Sequence, residues 1–235
     1  MSIADKLTII ADNMPKVYEA GKEAERQTFW YDFQEGGKRT AYNNAFQNVW
    51  TDAMLNPIYD IRPTSAGYMF SGAKIVDLKG CLEKSGIVFD TSNATSLDYA
   101  FSGAGSLVYC PEISALKSAS LWSIFYDCKK LIIIDKLILK SDGSQTFNDN
   151  SFKNCSSLVE IRIEGVIGNN VNFQWSKNLS MTSLASIVGA LSTSVSGKTI
   201  TLPNTARATY DNATISGAWD AFIEPYRAYW SFAYA

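Results

Sequence analysis

Along residues 66–202 the apolar positions recur in one arrangement. A phenylalanine is followed by a short polar turn, then an apolar residue five or six positions on, then another three later. The phenylalanines are Phe70, Phe101, Phe125 and Phe152. Their apolar anchors are Ile75 and Leu78, Leu107 and Cys110, Leu131 and Ile134, and Leu158 and Ile161. The steps are 31, 24 and 27 residues, within the range of stacked repeats. A unit of this length cannot bury its apolar side alone, and stacking neighbours builds one continuous core. The pattern predicts an α+β fold: an irregular solenoid of short parallel strands, about four to six rungs. Two insertions account for the uneven period. Residues 79–95 add a helix-like piece and a strand, and residues 140–149 carry the turn signal Asp142-Gly143.

The flanks read differently. Ile3, Leu7, Ile10, Met14 and Val17 form a heptad seam on a predicted helix over 3–17. Pro15 cuts it, or else sits near the start of a second helix capped by Asn13 and running to Gly36-Gly37. Two roles fit this helical segment, 1–37: packing on its own domain, or forming a homo-oligomer through residues 3–17. Residues 38–65 read as an irregular N-terminal cap, within an aromatic stretch over 29–62. After Ile167 a helix is expected, with Leu184, Ile187, Val188 and Leu191 on one face. Ser180 or Thr182 would cap it and Gly197 end it, before a strand at Thr199–Leu202. Residues 203–235 read as an aromatic C-terminal cap, with Trp219, Phe222, Ile223 and Tyr226 on one face and a strand-like ending.

Composition narrows the chemistry. Of 235 residues, 46% are hydrophobic and 19% charged, with a formal net charge of −2, so the chain is globular and has no electrostatic funnel for nucleic acid. No membrane insertion, signal peptide or transmembrane segment is predicted. There is no histidine, which removes the usual general base and zinc ligand. The four cysteines, at 81, 110, 128 and 155, form no CxxC pair and read as small buried thiols. No metal and no cofactor is expected. Gly189…Gly197-Lys198-Thr199 fails as a phosphate loop on spacing and on element order. A histidine-free glycosidase would need paired carboxylates; Asp77, Asp135, Glu160 and Glu164 are candidates, but they fall on or beside repeat strands. No catalytic residue is assigned.

The pattern F-x-x-C-x-x-L-x-x-I at 125–134 and 152–161 resembles the BspA-type leucine-rich repeat. The stretches "SIADKLTIIADN", "KVYEAGKEAE", "DGSQTF", "EGVIGNNVNFQW" and "LASIVGALSTSVSGKTITL" resemble phage- and prophage-encoded proteins of gut Firmicutes. This resemblance implies a curved, strand-lined repeat protein over residues 66–202. It also implies a non-enzymatic structural or protein-interaction role, virion-associated if the gene is phage-borne. The alternatives are a cell-surface adhesin for host protein or glycan and, further off, a carbohydrate-active enzyme. Outside a virion, the chain would be cytoplasmic or reach the surface by a non-standard route.

The repeat also places a candidate binding face. In "EIRIE", strand alternation turns Ile161 and Ile163 inward and Glu160, Arg162 and Glu164 outward. The same offset turns out Asp77 and Lys79, Tyr109 and Pro111, and Ile133 and Asp135. Stacked, they form two columns suited to a protein or glycan, or to a plain solvated sheet.

Overall fold

The computed structural model describes residues 41–43, 45, 47, 60–214 and 217–235. The heptad over 3–17, the second helix to Gly36-Gly37 and most of the aromatic stretch at 29–62 lie outside them. Tyr42, from that stretch, is fully buried.

Successive segments lie side by side around a spine of phenylalanine rings. Phe70, Phe101, Phe125 and Phe152 stack at centroid spacings of 5.3, 5.4 and 5.9 Å. Phe173 extends the stack, 4.3 Å from Phe152. Offset ring stacking adds about 0.5–1.5 kcal/mol per pair to the burial of each ring. All eight apolar anchors are buried as well.

The backbone beside each ring explains the polar turn. The residue two after the phenylalanine is Gly72, Gly103, Asp127 or Asn154, and each has φ between 60° and 72°. Glycine, aspartate and asparagine tolerate this left-handed conformation best. The first three phenylalanine amides bond to the next segment. Phe70 N–H donates to the Ala100 carbonyl (2.7 Å), Phe101 to Ile124 (2.9 Å) and Phe125 to Ser151 (3.0 Å).

On the opposite side the chain forms short parallel strands. These are β1 (Tyr109–Cys110), β2 (Ile113–Ser114), β3 (Ile133–Ile138) and β4 (Glu160–Glu164). β3 pairs with β1 and β2 on one edge and with β4 on the other. Asp77, Tyr109, Ile133 and Glu160 are in register across this sheet. Between Ile134 and Leu137 the β3–β4 register shifts, so that Asp135 and Lys136 together oppose Arg162 alone. A bulge of this kind twists the sheet and re-aims its side chains.

Helix α1 (Leu78–Ser85) precedes β1, with the Asp77 carboxylate accepting from the Gly80 amide at 2.8 Å. Helix α2 (Met181–Gly189) follows a short strand, β5 (Val171–Asn172), and is capped by Ser180. It ends at Gly189 rather than at Gly197, whose φ of 65° instead shapes the turn into β6 (Lys198–Leu202). A second parallel sheet runs β5–β6–β7, with β7 at Trp230–Tyr234. Between β6 and β7 lie α3 (Ala206–Ala213), which no sequence signal had marked, and α4 (Ala218–Ile223). Trp219 and Ile223 of α4 are fully buried.

Candidate functional site

α2 takes the place beside β4 where a further strand could have paired. Its serines satisfy the strand's free amides. Ile161 N–H donates to Ser183 Oγ at 2.9 Å, and Ile163 N–H to Ser186 Oγ at 2.8 Å. The three-residue spacing puts both hydroxyls on one helix face, matching the two-residue spacing of amides along one strand edge. This seam opens into a groove of about 280 Å³ lined by Ile133, Asp135, Glu160, Arg162, Thr182 and Ser186, among others.

Four of the eight residues expected on the strand face therefore meet in one groove: Ile133, Asp135, Glu160 and Arg162. The other four lie beside it. Asp77 caps α1 and Tyr109 is half-buried next to Ile133 in the register. Lys79 stands in the first turn of α1 rather than on a strand, because the insertion begins one residue earlier than the column requires. Glu164 is exposed at the end of β4. Pro111 is buried, not outward, since it and Glu112 fall between β1 and β2, where the chain leaves the regular pleat.

Charges on this face are tied in chains across segments. Lys79 Nζ donates to Tyr109 Oη and to Asp135 Oδ2, each at 3.1 Å, and lies 5.0 Å from the Tyr109 ring centroid. These hydrogen bonds, the one to Tyr109 first, hold its ammonium well above the usual lysine range. Lys136 Nζ bridges Glu164 at 3.1 Å and Glu112 at 3.2 Å, and both contacts raise its pKa. Glu160 Oε2 accepts from Thr182 Oγ1 at 3.1 Å, with Ser183 Oγ 3.2 Å away. Arg162 makes no ion pair or hydrogen bond through its side chain among the described residues.

The sequence marks Thr182 only as a possible helix cap, and does not mark Ser186. The signal was present: a capping Ser180 places Thr182 in the first helical turn, and Ser183 and Ser186 recur at helical spacing. Sequence reasoning missed a partly exposed aromatic row near the turns. Tyr68 and Tyr99 stack at 4.5 Å and 3°, and Trp122, 47% exposed, belongs to the next segment.

Three thiols are sealed in the core. Burial pushes Cys110, Cys128 and Cys155 well above the usual thiol range. Among the described residues no cluster of histidine, cysteine, aspartate or glutamate could hold a metal ion, and no helix is long and apolar enough to cross a membrane. Comparison of the chain with family models, with curated proteins and with solved structures finds no match.

Proposed function

We propose that the chain is a non-enzymatic binding or structural repeat protein, a leucine-rich-repeat-like solenoid whose strand face engages a partner. The observation that carries this reading is the groove between β3–β4 and α2, where Ile133, Asp135, Glu160 and Arg162 converge. Asp135, Glu160, Thr182 and Ser186 are positioned by bonds within the fold, as a preorganised contact surface requires. Array binding to glycans and proteins tests it, using the parent protein with Tyr109→Ala and Arg162→Glu variants. Loss of a bound ligand in either variant supports the reading. Ligands bound equally by all three proteins would make the face a scaffold and overturn it.

The biological setting we propose is an accessory component of a phage particle. It rests on the resemblance of the stretches quoted above. Mass spectrometry of purified virions should find the chain; its absence there, with detection on the bacterial surface, would favour the adhesin alternative. One feature speaks for that alternative. The exposed Tyr68 and Trp122, with half-buried Tyr99 stacked on Tyr68, form the kind of surface on which sugar rings stack.

A further inference from the structure

We propose that the groove binds a sugar residue carrying a carboxylate, such as a hexuronic acid within a glycan, with Arg162 as the carboxylate contact. The inference rests on the binding role above and adds the class of ligand.

The argument begins with Arg162. Its guanidinium carries five N–H donors in a rigid fork that matches a carboxylate bidentately. Three carboxylates lie near it on this face, and each is engaged elsewhere. Asp135 is held by Lys79 at 3.1 Å, Glu164 by Lys136 at 3.1 Å, and Glu160 by Thr182 at 3.1 Å. The bulge accounts for part of this. Opposite Arg162 stand two residues, Asp135 and Lys136, instead of one; the first turns to Lys79 and the second is itself a cation. Both lysines of the face are thus neutralised within the fold, and the arginine in the groove is not. A cation so placed, with Asp135 and Glu164 paired to lysines and Glu160 hydrogen-bonded to hydroxyls, is free to recognise an anion from outside.

The remaining lining selects the kind of anion. Thr182 and Ser186 supply hydroxyls, and Asp135 and Glu160 keep lone pairs that accept from donor groups. A ligand that offers one carboxylate and several hydroxyls uses all of these. An acidic peptide side chain offers the carboxylate but few donors, leaving Asp135 and Glu160 facing like charge. Phosphate groups carry the same disadvantage with more charge. A volume of about 280 Å³ lies at the lower edge of the roughly 300–1,000 Å³ typical of small-molecule sites. That suits a single ring rather than a buried oligosaccharide, with Ile133 providing the apolar patch for a sugar face.

The test is titration of the full chain, followed by amide NMR, with methyl glucuronide and, in parallel, methyl glucoside. We expect the glucuronide to shift resonances of β4 and of the first turns of α2, at least tenfold tighter than the glucoside. Arg162→Gln should weaken the glucuronide at least tenfold and leave thermal stability unchanged. Arg162→Lys should fall between, since an ammonium cannot make the bidentate contact. Equal binding of both sugars, indifference of the glucuronide to Arg162→Gln, or preferential binding of an aspartate-rich peptide at these residues would overturn the proposal. These failures differ from failure of the binding role itself. A neutral glycan or a protein lost on Arg162→Glu would leave that role standing and remove only the acidic sugar.

Discussion

The Cys155 thiol lies 3.1 Å from the carbonyl oxygen of Phe125, thirty residues earlier, and Cys128 lies 3.1 Å from that of Phe101. Each thiol follows its own phenylalanine by three residues and donates to the backbone carbonyl of the phenylalanine before it. The contact couples consecutive segments inside the core, and burial there holds the sulfur in its protonated form.

That protonation has a pH consequence. In the unfolded chain the thiols ionise near pH 8.5, while burial keeps Cys110, Cys128 and Cys155 protonated far above that. Above this pH the unfolded state binds fewer protons than the folded one, so stability is full below about pH 8.5 and falls as pH rises. The expected slope is about 1.4 kcal/mol per pH unit for each thiol. Urea midpoints between pH 7 and 10 should show it, and a Cys128→Ala/Cys155→Ala double variant, which keeps Cys110, should reduce the slope to about one third. A parent protein with constant stability over that range would contradict the burial.

Ser176 stands three residues after Phe173, as Cys155 does after Phe152, yet its buried hydroxyl has no partner among the described residues. A buried unsatisfied hydroxyl costs about 1–3 kcal/mol. Ser176→Ala, or Ser176→Cys to restore the reach of a sulfur, should raise Tm by about 2–4 °C for each kcal/mol recovered. A lower Tm in both variants would show that the hydroxyl is already satisfied.

The seam between β4 and α2 depends on two hydroxyls. Ser183→Ala and Ser186→Ala each leave a strand amide without its acceptor, at about 1–3 kcal/mol apiece. Hydrogen exchange should accelerate at Ile161 in the first variant and at Ile163 in the second. Exchange rates that do not change would mean that these bonds do not hold the seam.

Gln145 clamps an insertion. Its buried amide donates to the Ala115 and Ser118 carbonyls at 2.7 and 3.1 Å, and its oxygen accepts from the Lys140 amide at 2.7 Å. Gln145→Leu keeps the volume and strands the Ser118 carbonyl and the Lys140 amide, while the Ala115 carbonyl keeps the Ser118 amide, so a loss of at least about 2 kcal/mol is expected in a chemical unfolding curve. A loss under about half that value would place the restraint elsewhere in the loop.

The ring spine was legible because a phenylalanine, a turn residue that accepts positive φ and two apolar anchors recur together. Phe173 escaped notice although Phe173, Ser176 and Leu179 repeat the spacing of Phe152, Cys155 and Leu158. Serine stands there for cysteine, and the chain then turns into a helix, so no strand pattern follows to complete the unit. The outward column at Tyr109, Ile133 and Glu160 was readable from alternation. The second column was not, because a two-residue bulge and Pro111 break the period of two on which alternation depends. The groove itself was hidden for another reason. Two of its five polar lining residues, Thr182 and Ser186, come from α2, and no local pattern says which strand edge a helix will cover.

The serines of α2 also bear on how such a chain could lengthen. A duplicated unit inserted ahead of β4 would meet open amides and carbonyls on both sides and could join the ladder. The same unit inserted after β4 would find the Ile161 and Ile163 amides already taken by side chains from a helix. Growth by internal duplication is therefore directional here: new units can enter upstream, while the downstream boundary is closed by hydroxyls.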